Sequence, residues 1–153
     1  MSQIEPTIVY VDMDDVLCDY STAHKSATMH DPEVLFPQSK QDFFLNLVPL
    51  PDAISTFEYL LDSATFDPYI LTAPSIENPL CYTEKRLWVE KYLGLAVTNK
   101  LIICANKGLL KGDMLIDDWT FGRGQENFEG ILLEFGSSKF QDWQAVKCYL
   151  QAL

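Results

Sequence analysis

Five short apolar runs punctuate this chain, at residues 7–12, 68–72, 101–104, 114–117 and 130–135. The first, Ile8-Val9-Tyr10-Val11, shows no polar alternation, which suits a strand buried on both faces. Helical spacing fills several of the intervals. Ile54, Phe57, Leu60, Leu61 and Ala64 follow Asp52, which reads as an N-cap, and a second helix opens at Thr83, runs through Trp88 and Tyr92, and stops at Gly94. Ser138 and Gln141 form a capping box for a last helix whose core face is Phe140, Trp143, Val146 and Leu150. Strands alternating with helices make βαβ units, so the expected fold class is α/β, a parallel sheet covered on both faces.

One stretch breaks the pattern. Between residues 31 and 51 lie Pro32, Pro37, Pro49 and Pro51 and an aromatic pair, Phe43-Phe44. Prolines at that density forbid a long helix or a central strand. The stretch reads as an insertion over the site. The whole chain of 153 residues is expected to form one domain.

Charge narrows the partners. A formal net charge of −11 argues against polymeric nucleic acid and anionic membranes, which require a basic footprint. It also makes an anionic substrate awkward unless a bound cation and a few lysines or arginines draw it in. The four cysteines, Cys18, Cys81, Cys104 and Cys148, are scattered without a Cys-x-x-Cys pair, so reduced thiols in a cytoplasmic protein are expected. Met1 to Pro6 lack a basic segment followed by an apolar one, so no signal peptide is read there. A homodimer is admitted, although no residue pattern fixes the oligomeric state.

Chemistry concentrates where the strands end. Asp12 and Asp14 close the first run, and Asp117 and Asp118 close a later one. Open α/β sheets bind ligands at the carboxyl ends of their strands. Carboxylates converging there repel one another unless a cation joins them, and hard oxygen ligands suit Mg²⁺. A carboxylate can attack phosphorus to form an aspartyl-phosphate, while a second one protonates the leaving group and then activates water. Thr72 ends another strand and offers a hydroxyl to phosphate. A lysine, Lys107 or Lys111, could add an ammonium, and chemistry alone does not choose between them.

The order of these features resembles the haloacid-dehalogenase (HAD) superfamily. Asp12-Met13-Asp14-Asp15-Val16-Leu17 is similar to its first motif, Thr72 to the second, Lys107 to the third and Asp117-Asp118 to the fourth. A narrower resemblance is to the 5′(3′)-deoxyribonucleotidases, through Tyr10 to Asp14, Phe43 to Pro51, Tyr82 to Gly94 and Asp113 to Asp118. That resemblance implies a Rossmann-like three-layer sandwich with a small helical cap inserted at about residues 20–52. It implies Mg²⁺-dependent hydrolysis of nucleoside monophosphates, with Asp12 as nucleophile and Asp14 as acid/base. Mg²⁺ would be held by Asp12, the Asp14 carbonyl, Asp117 and Asp118, with Asp118 the more direct ligand of the last two. Thr72, Ala73 and Lys107 would hold the phosphate, and Phe44 would stack on a base or shield the site, or else simply pack in the core.

Three departures bear on the substrate. Asp15 stands where the family has Gly, Ala73 where its eukaryotic members have Ser, and only 60 positions separate Asp12 from Thr72, which implies a reduced cap. Trp119 and Arg123 read as an exposed loop, with filling part of that gap as the alternative. A phosphatase of another small phosphorylated metabolite, and a non-catalytic domain of the same fold, are the competing functions.

Overall fold

The computed structural model describes residues 5–153, so the reading of Met1 to Ile4 lies outside the described residues. In chain order the regular elements are β1 (Thr7–Val11), α1 (Tyr20–His30), α2 (Ala53–Asp62), β2 (Phe66–Thr72), α3 (Cys81–Leu93), β3 (Leu101–Ile103), β4 (Met114–Asp117), β5 (Ile131–Glu134) and α4 (Trp143–Gln151). The strands form one parallel sheet in the order β3-β2-β1-β4-β5. β1 sits at its centre, which explains the unbroken apolar run. Pro68 is tolerated within β2 because β3 pairs only from Ile70 onward, leaving that end of β2 with β1 as its neighbour.

One face of the sheet carries Val9, Val11, Ile70 and Ile116, all buried, against Phe57 and Leu60 of α2, Trp88 and Val89 of α3, and Val146 and Leu150 of α4. The other face carries Tyr10, Leu71 and Leu115, covered by Phe128 and Leu110 from connecting segments rather than from a long helix. The expected face of the last helix is buried as read, with Phe140 contributing from the loop ahead of it. No described helix is long and apolar enough to cross a membrane.

Three helix starts differ from expectation. Asp52 precedes α2 but takes a left-handed backbone (φ 61°) and makes no side-chain cap; its carboxylate accepts from Gln144 Nε2 at 3.2 Å instead. α3 begins at Cys81, two residues before Thr83, because Asn78 Oδ1 already organises the entry by accepting from Leu80 N. Ser138 and Gln141 form no cap, since α4 starts later and Asp142 accepts from Ala145 N at 2.9 Å. A local cap motif loses to a nearby competitor that suits the approach of the chain.

Residues 31–52 hold a short 3₁₀ turn (Pro37–Ser39), irregular turns and a single antiparallel bridge from Pro49 to Cys18, and no long helix or central strand, as the prolines require. This stretch is fastened to α3. Glu84 accepts from the backbone N–H of Asp42 (2.7 Å) and Phe44 (3.0 Å), and Trp88 Nε1 donates to the Leu47 carbonyl at 2.8 Å. α1 has no fully buried residue and depends on its first turn, where Asp15 accepts from Ser21 N at 2.7 Å and Asp19 from Thr22 N at 3.0 Å.

Candidate active site

Parallel pairing brings the acids together. Val11 and Ile116 are in register on adjacent strands, and Asp12 N donates to the Ile116 carbonyl at 2.9 Å, so Asp12 and Asp117 leave the sheet side by side. Lys107 rises between them from the turn after β3, with Nζ 2.8 Å from Asp12 Oδ1 and 2.5 Å from Asp117 Oδ2. It is buried; burial disfavours its charge, but the two carboxylates outweigh that and raise its pKa. Lys111 is elsewhere, at the opposite edge of the sheet beside Glu5, Pro6 and Thr7.

Asp117 has no oxygen to spare. Oδ2 takes Lys107, Oδ1 takes the Trp119 backbone N–H at 2.9 Å, and Gln125 Nε2 lies 3.3 Å from both. Burial, then the charge on Asp12, pushes its pKa up, against Lys107. Asp118 is the contrary case. Its Oδ1 is buried with no hydrogen-bond partner. Burial first, then Asp12, Asp117 and Asp15, raise its pKa to about 8. One carboxylate oxygen from each of Asp12, Asp117 and Asp118 falls within 4.8 Å of the others. An orphaned buried oxygen in an all-oxygen acidic group fits a hard divalent cation.

A second lysine completes the interior. Lys85 of α3 is wholly buried, and its Nζ donates to Asp14 Oδ2 (2.8 Å), Thr72 Oγ1 (2.6 Å) and the Ala73 carbonyl (2.8 Å). Burial works against its charge, yet Asp14 and the other anionic groups hold its pKa above the usual lysine value. The Phe44 ring lies 5.0 Å from the same ammonium. Asp14 is half-buried, and burial raises its pKa, with Lys85 opposing and Asp12 and Asp15 adding to the rise.

Of the residues singled out in the sequence, Asp12, Asp14, Phe44, Ala73, Lys107, Asp117 and Asp118 line one cavity of about 590 Å³. Thr72 does not line it; its hydroxyl is buried behind the surface, against Lys85. Phe44 reaches the cavity but is itself buried, stacked on Tyr20 and edge-on to Phe43. Asp15 has φ 58°, a left-handed angle that favours glycine, and its carboxylate holds Ser21 through both N and Oγ.

Sequence reasoning missed Lys85 and Gln125. Lys85 left one trace: it sits on the helix stripe of Cys81, Trp88 and Val89, where a lysine has no business unless a charge awaits it. Gln125 left none. Trp119 and Arg123 are exposed, as read, and also form part of the cavity wall.

A central strand ending in an aspartate, with a lysine between it and the acids of the neighbouring strand, defines a hydrolase domain of the haloacid-dehalogenase type. Residues 30–148 match the family described as 5′ nucleotidase, deoxy (Pyrimidine), cytosolic type C protein. Over 147 residues the chain is 37% identical to a Vibrio phage KVP40 protein named "Putative 5′(3′)-deoxyribonucleotidase", covering 94% of this chain and 84% of that one. It is also 37% identical over 84 residues to the cytosolic-type 5′(3′)-deoxyribonucleotidase of Homo sapiens, and 42% over 76 residues to a like-named Bordetella bronchiseptica protein. Those two matches span 55% and 50% of this chain but only 42% and 40% of the relatives. The chain belongs to this cytosolic type C 5′-nucleotidase family, a HAD-type family of phosphoric monoester hydrolases.

Proposed function

We propose that the chain is a Mg²⁺-dependent phosphomonoesterase that removes phosphate from deoxynucleoside monophosphates through an aspartyl-phosphate, acting in the cytoplasm. The observation that carries this reading is the Asp12 carboxylate, fixed at 2.8 Å by Lys107 beside the unpartnered oxygen of Asp118, on the wall of a cavity large enough for a small substrate.

Asp12 attacks phosphorus with the oxygen that Lys107 does not hold, and the bond to the leaving alkoxide breaks. Asp14 gives that alkoxide its proton; its raised pKa favours the protonated form needed for this step. The same carboxylate then takes a proton from water as the water attacks phosphorus, freeing Asp12 and inorganic phosphate. Lys85 keeps Asp14 in one orientation. Asp12, Asp118 and the Asp14 carbonyl would hold Mg²⁺, with Asp117 behind them holding Lys107. When bound, the ion neutralises the clustered acids and the substrate phosphate. Ala73 and Lys107 face the phosphate position from the cavity wall, with Thr72 acting through Lys85. Residues 20–52 serve as the reduced cap, supported by Tyr20, Gln38 and Phe44 on the same wall.

Asp12→Asn should abolish Mg²⁺-dependent release of phosphate from deoxynucleoside monophosphates while leaving the fold intact by circular dichroism. Retained turnover would refute the nucleophile assignment. Better turnover of sugar phosphates than of nucleotides by the wild-type protein would favour another phosphorylated metabolite.

A further inference from the structure

Part of the cavity wall is a loop, residues 119–124, that the chemistry above leaves without a task. It is held at both ends by the site itself. Trp119 N donates to Asp117 Oδ1, Gln125 bridges Asp117 and the Arg123 N–H, and Lys107 N donates to the Arg123 carbonyl at 2.6 Å. Gly124 (φ 84°) packs so close to Asn106 that any Cβ would collide with its side chain. Trp119 and Phe121 are 60% and 62% exposed, stacked edge-to-face at 6.0 Å.

Exposed paired aromatics on a loop pinned at both ends are a surface for something flat. The cavity's other aromatics are already engaged: Phe44 with Tyr20, Phe43 and the Lys85 ammonium, and Tyr20 with His24, Phe43 and Phe44. Arg123 also lines the cavity, and its guanidinium enters no ion pair among the described residues. The loop therefore presents an open π-face and an uncommitted cation beside the acids that would receive phosphate. A nucleotide has both complements, a flat base and an anionic phosphate. We propose that Trp119, backed by Phe121, is the platform on which the nucleobase stacks, so that in this small-capped chain the loop after β4 reads the nucleoside. This rests on the nucleotidase reading and adds to it the residue that selects a base.

The test compares a 2′-deoxynucleoside 5′-monophosphate with 2-deoxyribose 5-phosphate, which lacks only the base. Trp119→Leu should raise KM for the nucleotide about tenfold or more, the usual worth of one stacked base. Turnover of deoxyribose 5-phosphate should stay within about twofold, and Trp119→Phe should keep nucleotide KM within about threefold of wild type. In the Asp12→Asn protein the nucleotide, and not deoxyribose 5-phosphate, should quench tryptophan fluorescence, because Trp88 and Trp143 are buried. An unchanged nucleotide KM in Trp119→Leu, or an equal loss on both substrates, overturns the platform while leaving the nucleotidase reading standing. A wild-type protein that turns over deoxyribose 5-phosphate but no nucleotide overturns both.

Discussion

Lys85 shows what a single buried charge does here. Its ammonium meets three oxygens from two separate segments, one of them the carboxylate proposed to move protons. Removing one partner of a buried pair leaves the other uncompensated, at a typical cost of 3–5 kcal/mol. Asp14 keeps 27% of its side chain in solvent, which places Lys85→Met near the low end, about 3 kcal/mol. Urea unfolding should register that loss. Asp14→Asn in the same background should recover part of it, because the two residues act as a unit. Strictly additive losses would mean that the pair is not coupled.

At the scale of elements, α1 is the most dependent on its ends, since it buries none of its residues completely. Asp15→Ala loses both bonds to Ser21 and keeps a side chain at φ 58°, so it should cost about 1–2 kcal/mol. Asp15→Gly loses the same bonds but relieves the backbone, and should cost less than Asp15→Ala. Amide exchange in residues 20–24 should quicken in that order; a larger effect in the glycine variant would show that the backbone angle is not strained.

All five strands were legible because strands of a covered sheet must be apolar throughout, and Ile8 to Val11 can be little else. Their order was not, since nothing local in β1 says that β2 and β4 flank it. Acidic strand ends are common, and Asp12, Asp14, Asp117 and Asp118 stood out because they fall in order with Thr72 and Lys107, each after an apolar run. Lys85 did not, because its meaning lies in partners 13 and 71 residues away. Asp52 holds the N-cap position as read but makes no side-chain bond there, and the expected cap at Ser138 gives way to Asp142: several polar residues near a helix start could serve, and the incoming chain direction chooses.

For the whole molecule, the clustered acids tie stability to pH. Burial, then the neighbouring acids, push Asp118 up to about 8 in the folded chain, against an ordinary carboxylate value of 3.8. Between those values the folded state binds the proton that the unfolded state has released, so ion-free stability falls as pH rises from about 4 to about 8. A cation that takes the proton's place reverses this. The rise in Tm on adding Mg²⁺ should therefore be larger at pH 8 than at pH 5.5, and Asp118→Asn should flatten the ion-free decline. An Mg²⁺ shift equal at both pH values would contradict the link.

The central position of β1 has a consequence for how the molecule comes into being. β1 finds one neighbour in β2 and the other only once β4 is made, 105 residues after Val9 where Met114 pairs with it. Contacts that distant in sequence form late and slowly in folding. Asp12 thus meets Asp117 and Asp118 only after β4 has emerged, and a nascent fragment ending before β4 holds Asp12 without them.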